Sequence, residues 1–399
     1  MMALPTLSKT TEIAALAVCL SLMAGCSTVT RNPVPAELTA AAQVPGYQKL
    51  KIRTQFSITD PEWKDHLADF LESQPADGGQ DKVITMLMVS GGGENGAYGA
   101  GVLCGWSESG ERPEFDVVTG ISTGALIGPL AFLGREYDAA LRRGYTEVEA
   151  KNIFDRLSIW TILNRRTSLA DTRPLARMIA AMLGERELRA IARQHERGRR
   201  LYIGTTDLDS QTIVVWDIGA IATSGRPDAL ALVHRVMLAS SAIPVVFPPV
   251  LFTVEAGGKR YEELHVDGGT VAQAFGGLIL LAQESEPKTR IPMRMYLLRN
   301  GRLAPQYAPP AMRIGALADR SLTTSAVSQG LNDVLRAYAV AQRLGAEFYL
   351  TSIPASFDEV LTTPFDREYM RDLFAVGYEF GRRNSPWDRL PPGVQAAGD

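Results

Sequence analysis

An apolar run at residues 83–89, V-I-T-M-L-M-V, leads directly into a glycine-rich loop. The run offers water no polar face, so it predicts a strand that is covered on both sides, as in a parallel sheet. Helical stretches such as residues 228–241 and 324–344 alternate with further strand-like runs. Those runs lie at residues 116–119, 201–205, 212–216, 294–298 and 347–351. This alternation predicts an α/β fold, a three-layer sandwich with a mostly parallel central sheet and helices on both faces.

The bulk composition excludes some classes of function. The chain has 399 residues, of which 46% are hydrophobic and 21% charged, with a net charge of −3. These values are ordinary for a globular protein and give no electrostatic footprint for nucleic acid. Four histidines and three cysteines, without C-x-x-C or H-E-x-x-H spacing, leave little material for a metal site. We therefore expect neither a nucleic-acid partner nor a metal or other cofactor.

The first residues are typical of a targeting segment. Lys9 precedes an apolar run at residues 13–24, which is too short to span a bilayer comfortably and fits the core of a secretory signal. An ordinary signal peptide would be cut near Ala24. The sequence L-M-A-G-C at residues 22–26 also resembles the lipobox of bacterial lipoproteins, which implies that Cys26 is acylated and becomes the mature N-terminus. The expected location is then the cell envelope, with the chain lipid-anchored to a membrane.

The glycine-rich loop S-G-G-G-E-N-G-A-Y-G-A-G, residues 90–101, has three interpretations. It satisfies the G-x-G-x-x-G dinucleotide fingerprint, and Asp116 follows it at about the right distance. In that fold, however, the acid closes the second strand, whereas Asp116 opens one here. Alternatively, the bare backbone N–H groups converge on an oxyanion at a helix N-terminus. The loop could also be only a tight strand-to-helix turn that requires positive φ.

A second motif favours the oxyanion interpretation. Ser122 lies at the centre of G-I-S-T-G, after a short strand and before an apolar helix at residues 125–133. Gly120 and Gly124 would permit the strained turn of a nucleophile elbow, and the helix N-terminus would favour negative charge beside the serine. G-x-S-x-G also occurs by chance in glycine-rich chains. Acyl transfer, however, requires both a nucleophile and an oxyanion loop, and both are present after consecutive strands.

The base that would activate Ser122 is less obvious. In the usual hydrolase order a serine is followed by an acid and then a histidine, but no histidine follows Asp267. His195 lies in a charged run typical of a solvated surface, and His234 has the apolar neighbours of a packed helical residue. His265 alternates with apolar residues in a strand that ends at Asp267 in a D-G-G turn. Asp267 is thus either a site residue at a strand end or simply part of an Asx-turn.

Taken together, these motifs resemble the patatin-like phospholipases. The likeness extends over residues 83–270 and includes the G-G-G-x-x-G loop, the G-x-S-x-G elbow and the D-G-G turn in that order. Residues 239–249, A-S-S-A-I-P-V-V-F-P-P, resemble the family's A-S-x-A-x-P-x-x-F-x-P stretch. Residues 168–175, S-L-A-D-T-R-P-L, resemble the segment that opens its mid-domain helix.

The resemblance implies a function and a set of site residues. Ser122 and Asp267 would form a catalytic dyad without histidine, and the N–H groups of Gly91, Gly92 and Gly93 would form the oxyanion hole. The expected activity is hydrolysis of fatty-acyl esters of lipids or phospholipids through an acyl-serine intermediate, at a membrane surface. Two alternatives stay open, namely an esterase in which His234 or His265 is the base, and a non-catalytic lipid-binding lipoprotein.

One position departs from the family pattern. The family usually has Arg or Lys immediately before the last glycine of the loop, and this chain has Asn95. If position 95 faces the pocket, the loop should favour neutral or zwitterionic esters over strongly anionic lipids.

The same features predict the domain layout. Residues 1–25 are a lipoprotein-type signal, and residues 26–80 are a tether and N-terminal extension, with a loose Pro/Ala/Thr-rich part from Ser27 to about Tyr47. Residues 81–300 form the acyl hydrolase domain, residues 301–385 complete it, and residues 386–399 form a flexible tail.

Overall fold

The computed structural model describes residues 31–56, 83–153, 155–156, 170–276, 292–361, 363–383 and 387–395. The chain divides into two units, Met1–Pro33 and Val34–Asp399. The predicted signal and Cys26 lie outside the described residues, so the account below concerns the second unit. Among the helices of these ranges, none is both long and apolar enough to span a bilayer.

Eleven strands and ten α-helices are described. The strands are β1 Arg53–Phe56, β2 Ile84–Val89, β3 Val117–Gly120, β4 Asp155–Arg156, β5 Ala170–Asp171, β6 Arg200–Asp207, β7 Thr212–Asp217, β8 Val250–Ala256, β9 Lys259–Asp267, β10 Met293–Arg299 and β11 Glu347–Ser352. The helices are α1 Gly96–Ser109, α2 Thr123–Leu133, α3 Asp138–Thr146, α4 Ala150–Ile153, α5 Arg173–Met182, α6 Glu185–Glu196, α7 Ile218–Thr223, α8 Ala229–Ser240, α9 Ile314–Leu344 and α10 Arg367–Arg382. Short 3-10 turns at Gly93–Asn95 and Gly268–Thr270 carry parts of the site.

The central sheet is mostly parallel, which confirms the predicted fold class. Its order is β1-β7-β6-β3-β2-β10-β11, and the five strands from β6 to β11 are mutually parallel. The antiparallel strands β7 and β1 extend one edge, and β9 pairs with both β6 and β8. β2 and β3 lie side by side at the centre, so the loops at their carboxyl ends meet at one edge of the sheet. This is where ligand sites form in open α/β sheets.

Close packing of α1 against α10 brings a second helix to that edge. A Cβ atom at Gly101 would lie 2.2 Å from the backbone oxygen of Phe374, and one at Gly105 would lie 2.0 Å from that of Tyr378. Glycine is therefore required on this face of α1, because only bare backbone permits so close an approach. The contact holds the start of α10 beside the glycine-rich loop that precedes α1.

The predicted tether differs from the observed structure. Within the predicted loose segment from Ser27 to about Tyr47, Val34, Ala42 and Tyr47 are buried in the core. The chain then continues into β1, which pairs with β7. A Pro/Ala/Thr-rich composition predicted a linker, but scattered apolar residues can still pack when a sheet edge is available.

The end of the chain also differs from expectation where it is described. Trp387, which falls in the predicted flexible tail, packs its ring against Trp106 and Tyr296 in tilted and edge-on arrangements, at centroid distances of 5.0 and 5.2 Å. Asp388 forms an isolated bridge with Leu350 of β11. The tail therefore begins with a packed segment.

Candidate active site

Ser122 occupies a sharp turn between β3 and α2. Its backbone has φ 55° and ψ −122°, a conformation that non-glycine residues rarely adopt. A Cβ atom at Gly120 would lie 2.2 Å from the carbonyl oxygen of Gly124, and one at Gly124 would lie 2.2 Å from that of Val89. Both flanking glycines are thus required by close backbone contact. The turn has the geometry of a nucleophile elbow.

The hydroxyl of Ser122 donates a hydrogen bond to Asp267, with 2.6 Å between Oγ and Oδ2. Asp267 is the last residue of β9, and its Oδ1 accepts a hydrogen bond of 2.7 Å from the N–H of Gly269. The D-G-G turn is therefore an Asx-type turn that leaves the second carboxyl oxygen for the serine. The structure thus brings these two predicted site residues into direct contact, although 145 residues separate them in sequence.

The environment of the carboxyl group changes its acidity. Burial raises the pKa of Asp267 from 3.8 to about 7, because the apolar surroundings penalise the charged form. The hydrogen bonds from Ser122 and Gly269 act in the opposite direction and lower the pKa, but they do not overcome the desolvation. A carboxylate with such a pKa is a much stronger base than an exposed aspartate.

Two serines at the C-terminal end of α8 hold the elbow in place. Ser240 accepts a hydrogen bond of 3.0 Å from the N–H of Ser122 and donates one of 2.7 Å to the carbonyl of Gly204. Ser241 donates through its hydroxyl to the carbonyl of Ser122 at 3.4 Å. Both belong to the A-S-S-A stretch that resembled the family, so a sequence signal for them existed, but their role became visible only in the fold.

None of the three described histidines forms a hydrogen bond with Ser122 or Asp267. His265 is fully buried, with Nδ1 2.8 Å from the hydroxyl of Thr205 and Nε2 3.0 Å from the carboxylate of Glu263. His234 bonds through Nε2 to the carbonyl of Leu183. His195 is half-buried beside Asp217 and Arg200 rather than on an open surface.

The oxyanion loop differs in one respect from the predicted set. The N–H of Gly91 donates a hydrogen bond of 2.9 Å to the carbonyl of Gln273, so it is not free to bind an oxyanion in this structure. For the N–H groups of Gly92 and Gly93 no acceptor occurs among the described residues. The same is true of Thr123, which begins α2 immediately after the nucleophile, where hydrolases commonly have an oxyanion donor. The sequence motif could not distinguish Gly91, because the partner of its N–H lies far along the chain.

Asn95 does not line the pocket beside Ser122. Its side-chain oxygen accepts a hydrogen bond of 2.7 Å from the hydroxyl of Tyr369 near the start of α10. The side chain therefore ties the loop to α10. The structure favours the view that position 95 fits the turn over the view that it selects substrate charge.

A largely apolar pocket opens at Ser122. Gly93, Ser122, Thr123 and Ser241 form its polar end. The rest of the wall comes from α2 to α5, the loop after α8, and the start of α10. The apolar lining residues are Leu126, Tyr145, Val148, Ile153, Leu175, Met178, Met182, Ile243, Phe247, Phe365 and Met370. Methionine side chains adapt readily to flexible apolar ligands.

A cluster below the loop was not predicted from the sequence. Arg299, at the end of β10, is buried and contacts the carbonyl of Gly91 and the side chains of Ser90 and Gln273. Gln273 also donates to the carbonyl of Gly269, so it connects the oxyanion loop with the Asp267 turn. A lone arginine after an apolar strand carries no sequence signal for such a role.

Comparison with protein families gives one match, to the family described as patatin-like phospholipase, over residues 87–275. That range contains the loop, the elbow and the Asp267 turn. No curated protein matches the sequence.

Two solved structures show distant similarity. VipD from Legionella pneumophila is 12% identical with a TM-score of 0.34, covering 75% of this chain and 66% of that chain. The type III effector protein ExoU is 12% identical with a TM-score of 0.29, covering 76% of this chain and 53% of that chain. The chain thus spans just under two thirds of VipD and about half of ExoU.

The family match covers the segment in which the structure brings Ser122, Asp267 and the glycine-rich loop together. Residues 87–275 are therefore a patatin-like phospholipase domain within this chain.

Proposed function

We propose that the chain is a serine acyl hydrolase in which Ser122 is the nucleophile and Asp267 its base, acting on fatty-acyl esters of lipids. The observation that carries this proposal is the 2.6 Å hydrogen bond from Ser122 to Asp267 at the polar end of an apolar pocket. A nucleophile within hydrogen-bond reach of a base is the arrangement that covalent catalysis requires.

In the first half-reaction ionised Asp267 takes the proton of Ser122 as the serine oxygen attacks the ester carbonyl. The oxyanion that forms accepts hydrogen bonds from the N–H groups of Gly92, Gly93 and Thr123. Collapse of this intermediate breaks the bond to the alcohol, which leaves with the proton that Asp267 had taken. The acyl group remains on Ser122 as an ester.

In the second half-reaction Asp267 removes a proton from water, and the hydroxide attacks the acyl-serine. The same donors hold the second oxyanion, and Ser122 regains its proton as the fatty acid leaves. General base catalysis contributes roughly 10²–10⁴-fold, and one oxyanion donor about 10²–10³-fold.

Burial supports the role of a carboxylate that works without histidine. An aspartate at its ordinary pKa is a weak base, whereas a pKa of about 7 matches the base to neutral pH. The histidine-assisted alternative is disfavoured because both ring nitrogens of His265 have other partners and His234 bonds to the Leu183 carbonyl.

The pocket supports a fatty-acyl chain as the group that is transferred. Apart from its polar end, its walls are aliphatic, thioether and aromatic side chains. Such a wall stabilises each buried methylene by about 0.8 kcal/mol and offers no partner for a charged acyl group.

Membrane attachment through Cys26 belongs to the same proposal. The L-M-A-G-C sequence at residues 22–26 supports acylation of Cys26 and location in the cell envelope. Each buried CH₂ contributes about 0.8 kcal/mol, so several chains would make release negligible. Mass spectrometry of the mature N-terminus tests this, and an unmodified residue there would leave only secretion.

The activity is tested with the full chain in detergent, by measuring fatty acid released from phosphatidylcholine mixed micelles. We expect Ser122→Ala and Asp267→Asn each to remove nearly all activity, with little further loss in the double variant, because groups that act as one unit are non-additive. A fluorophosphonate probe should label Ser122 in the wild type and not in Ser122→Ala.

Histidine variants provide the matched control. We expect His234→Gln and a folded His265→Gln to keep activity within about tenfold of the wild type, since loss of a catalytic base costs more. A folded His265→Gln as inactive as Ser122→Ala would show that the dyad assignment is wrong. An inactive, unlabelled wild type would favour a lipid-binding protein.

A further inference from the structure

One peptide group of the oxyanion loop, which supplies one of the three proposed oxyanion donors, has unusual hydrogen-bond partners. The carbonyl of Gly91 and the N–H of Gly92 belong to the same peptide unit. That carbonyl accepts a hydrogen bond of 2.8 Å from the hydroxyl of Ser90 and one of 3.2 Å from Nη1 of Arg299. Its N–H has no acceptor among the described residues. One side of the peptide is thus saturated by donors, while its other side offers a donor.

Arg299 carries a charge that no direct ion pair offsets in the described part of the chain. Its hydrogen bonds go to uncharged oxygens, those of Ser90, Gly91, Gln273 and Ala326. The side chain is 4% exposed, and Nε is buried without a partner among the described residues. Burial lowers the pKa of Arg299 to about 10, while the more distant Asp333 raises it, so the guanidinium is still a cation at neutral pH. A buried charge of this kind destabilises the folded state unless hydrogen bonds or an opposite charge offset the cost of its desolvation.

A cation that donates to a peptide carbonyl changes the opposite end of that peptide. Hydrogen bonds in series polarise one another, by perhaps 10–30% per bond in condensed phase. The N–H of Gly92 therefore becomes a stronger donor, and its orientation is fixed from below. The family's usual cation at position 95 is absent, and Asn95 is bound to Tyr369.

We propose that Arg299 is a positioning residue that stabilises the oxyanion through the Gly91–Gly92 peptide, supplying from beneath the loop a positive charge that position 95 lacks. The inference rests on the proposed acyl hydrolase function. It predicts an effect on turnover rather than on substrate binding, because the charge never touches the substrate and acts only when the oxyanion forms.

The test compares Arg299→Met, Arg299→Lys and the matched control Arg302→Met in the full chain. Arg302 follows on the same segment but donates to the carbonyl of Pro354 and not to the loop. We expect Arg299→Met to lower kcat about tenfold, a fraction of the 10²–10³-fold value of a whole oxyanion donor, with KM within about twofold. Arg299→Lys should recover most of kcat at pH 7, and Arg302→Met should resemble the wild type.

The lysine variant provides a readout that a purely structural role would not alter. Burial like that of Arg299 would move a lysine pKa from about 10.4 to about 8. Above that pH the lysine is neutral, so kcat of Arg299→Lys should fall between pH 7 and pH 10, while the wild type falls less. This measurement remains decisive if Arg299→Met does not fold.

Two results would overturn the inference. One is wild-type kcat in Arg299→Met. The other is a loss of kcat in both Arg299→Met and Arg299→Lys that is accompanied by raised KM and lowered Tm, while kcat of Arg299→Lys falls no more than that of the wild type at high pH. If the wild type is inactive, or Ser122→Ala retains activity, the proposed function has failed instead. The two failures are therefore distinguishable.

Discussion

Replacing the buried carboxyl group at position 267 by an amide should make the protein more stable at alkaline pH than at acidic pH, relative to the wild type. Asp267→Asn keeps the size of the side chain and an oxygen that can accept from Gly269. It removes the group whose pKa rises from 3.8 to about 7 on folding. The physical reason is that the wild type must ionise a desolvated carboxyl group above neutral pH, and the variant need not.

The sign follows from proton linkage. Between pH 4 and pH 7 the unfolded state has lost the proton of Asp267 while the folded state retains it, so the unfolding free energy of the wild type falls as pH rises. A rise from 3.8 to about 7 is about three pKa units, equivalent to about 4 kcal/mol over the full titration. Between pH 5 and pH 8 the fraction that titrates is worth about 2.5 kcal/mol.

The assay is urea denaturation of wild type and Asp267→Asn at pH 5 and pH 8. We expect the stability of the variant relative to the wild type to increase by about 2.5 kcal/mol between these two values. Ser122→Ala is the matched control, because it keeps the carboxyl group and loses only a hydrogen bond that lowers its pKa. It should follow the wild-type pH dependence or exceed it slightly. Parallel stability curves for wild type and Asp267→Asn would refute the argument that burial tunes this base.

Three further outcomes follow from the same site. In the proposed mechanism Asp267 must be ionised to accept a proton, so kcat/KM measured on a neutral ester should rise with pH and level off above an apparent pKa of about 7. A profile that is flat from pH 5 to pH 8 would contradict this. Met178→Trp narrows the apolar pocket, so the rate of hydrolysis of long-chain p-nitrophenyl esters should fall at least about tenfold relative to the rate for the acetate ester. Met312→Trp, which adds the same side chain at an exposed position, is the control. Because Asn95 is bound to Tyr369, Asn95→Arg should leave the ratio of anionic to neutral phospholipid hydrolysis within about twofold; a salt-sensitive shift toward the anionic lipid would restore a role for position 95 in selectivity.

The central strands could be predicted from the sequence because strands that are buried on both faces consist largely of consecutive apolar residues. β2, β3, β10 and β11 were each located to within a residue or so of their observed bounds. β1 was missed, and the reason is physical. Its residues Arg53 and Gln55 are polar, yet both are buried, since Arg53 pairs with Glu263 of β9 and Gln55 with Asp207 of β6. Polar strands of this kind depend on partners more than 150 residues away.

The candidate site divides in the same way. Ser122 and Asp267 could be named from local motifs, because an elbow and a D-G-G turn are both short-range patterns. Other features of the site arise from contacts between segments distant in sequence. Gly91 donates to Gln273, Ser122 donates to Ser240, and Arg299 is buried beneath the loop. A local pattern can therefore single out candidate site residues, but not which neighbouring N–H groups lack an acceptor in the fold.

The position of the cation relative to the loop bears on substrate choice as well as on rate. A basic residue at position 95 would be half-buried but outside the lining of the pocket beside Ser122, so distance, solvent and salt would weaken its attraction for an anionic head group. Arg299 lies below the loop and donates to the carbonyl of the Gly91–Gly92 peptide. The N–H of Gly92 is at the opposite end of the same peptide group. In the proposed role the charge of Arg299 stabilises the oxyanion through that peptide and interacts little with the head group of the lipid. Stabilisation of the transition state would then be separated from head-group selection, so this chain should hydrolyse esters with neutral and anionic head groups at similar rates.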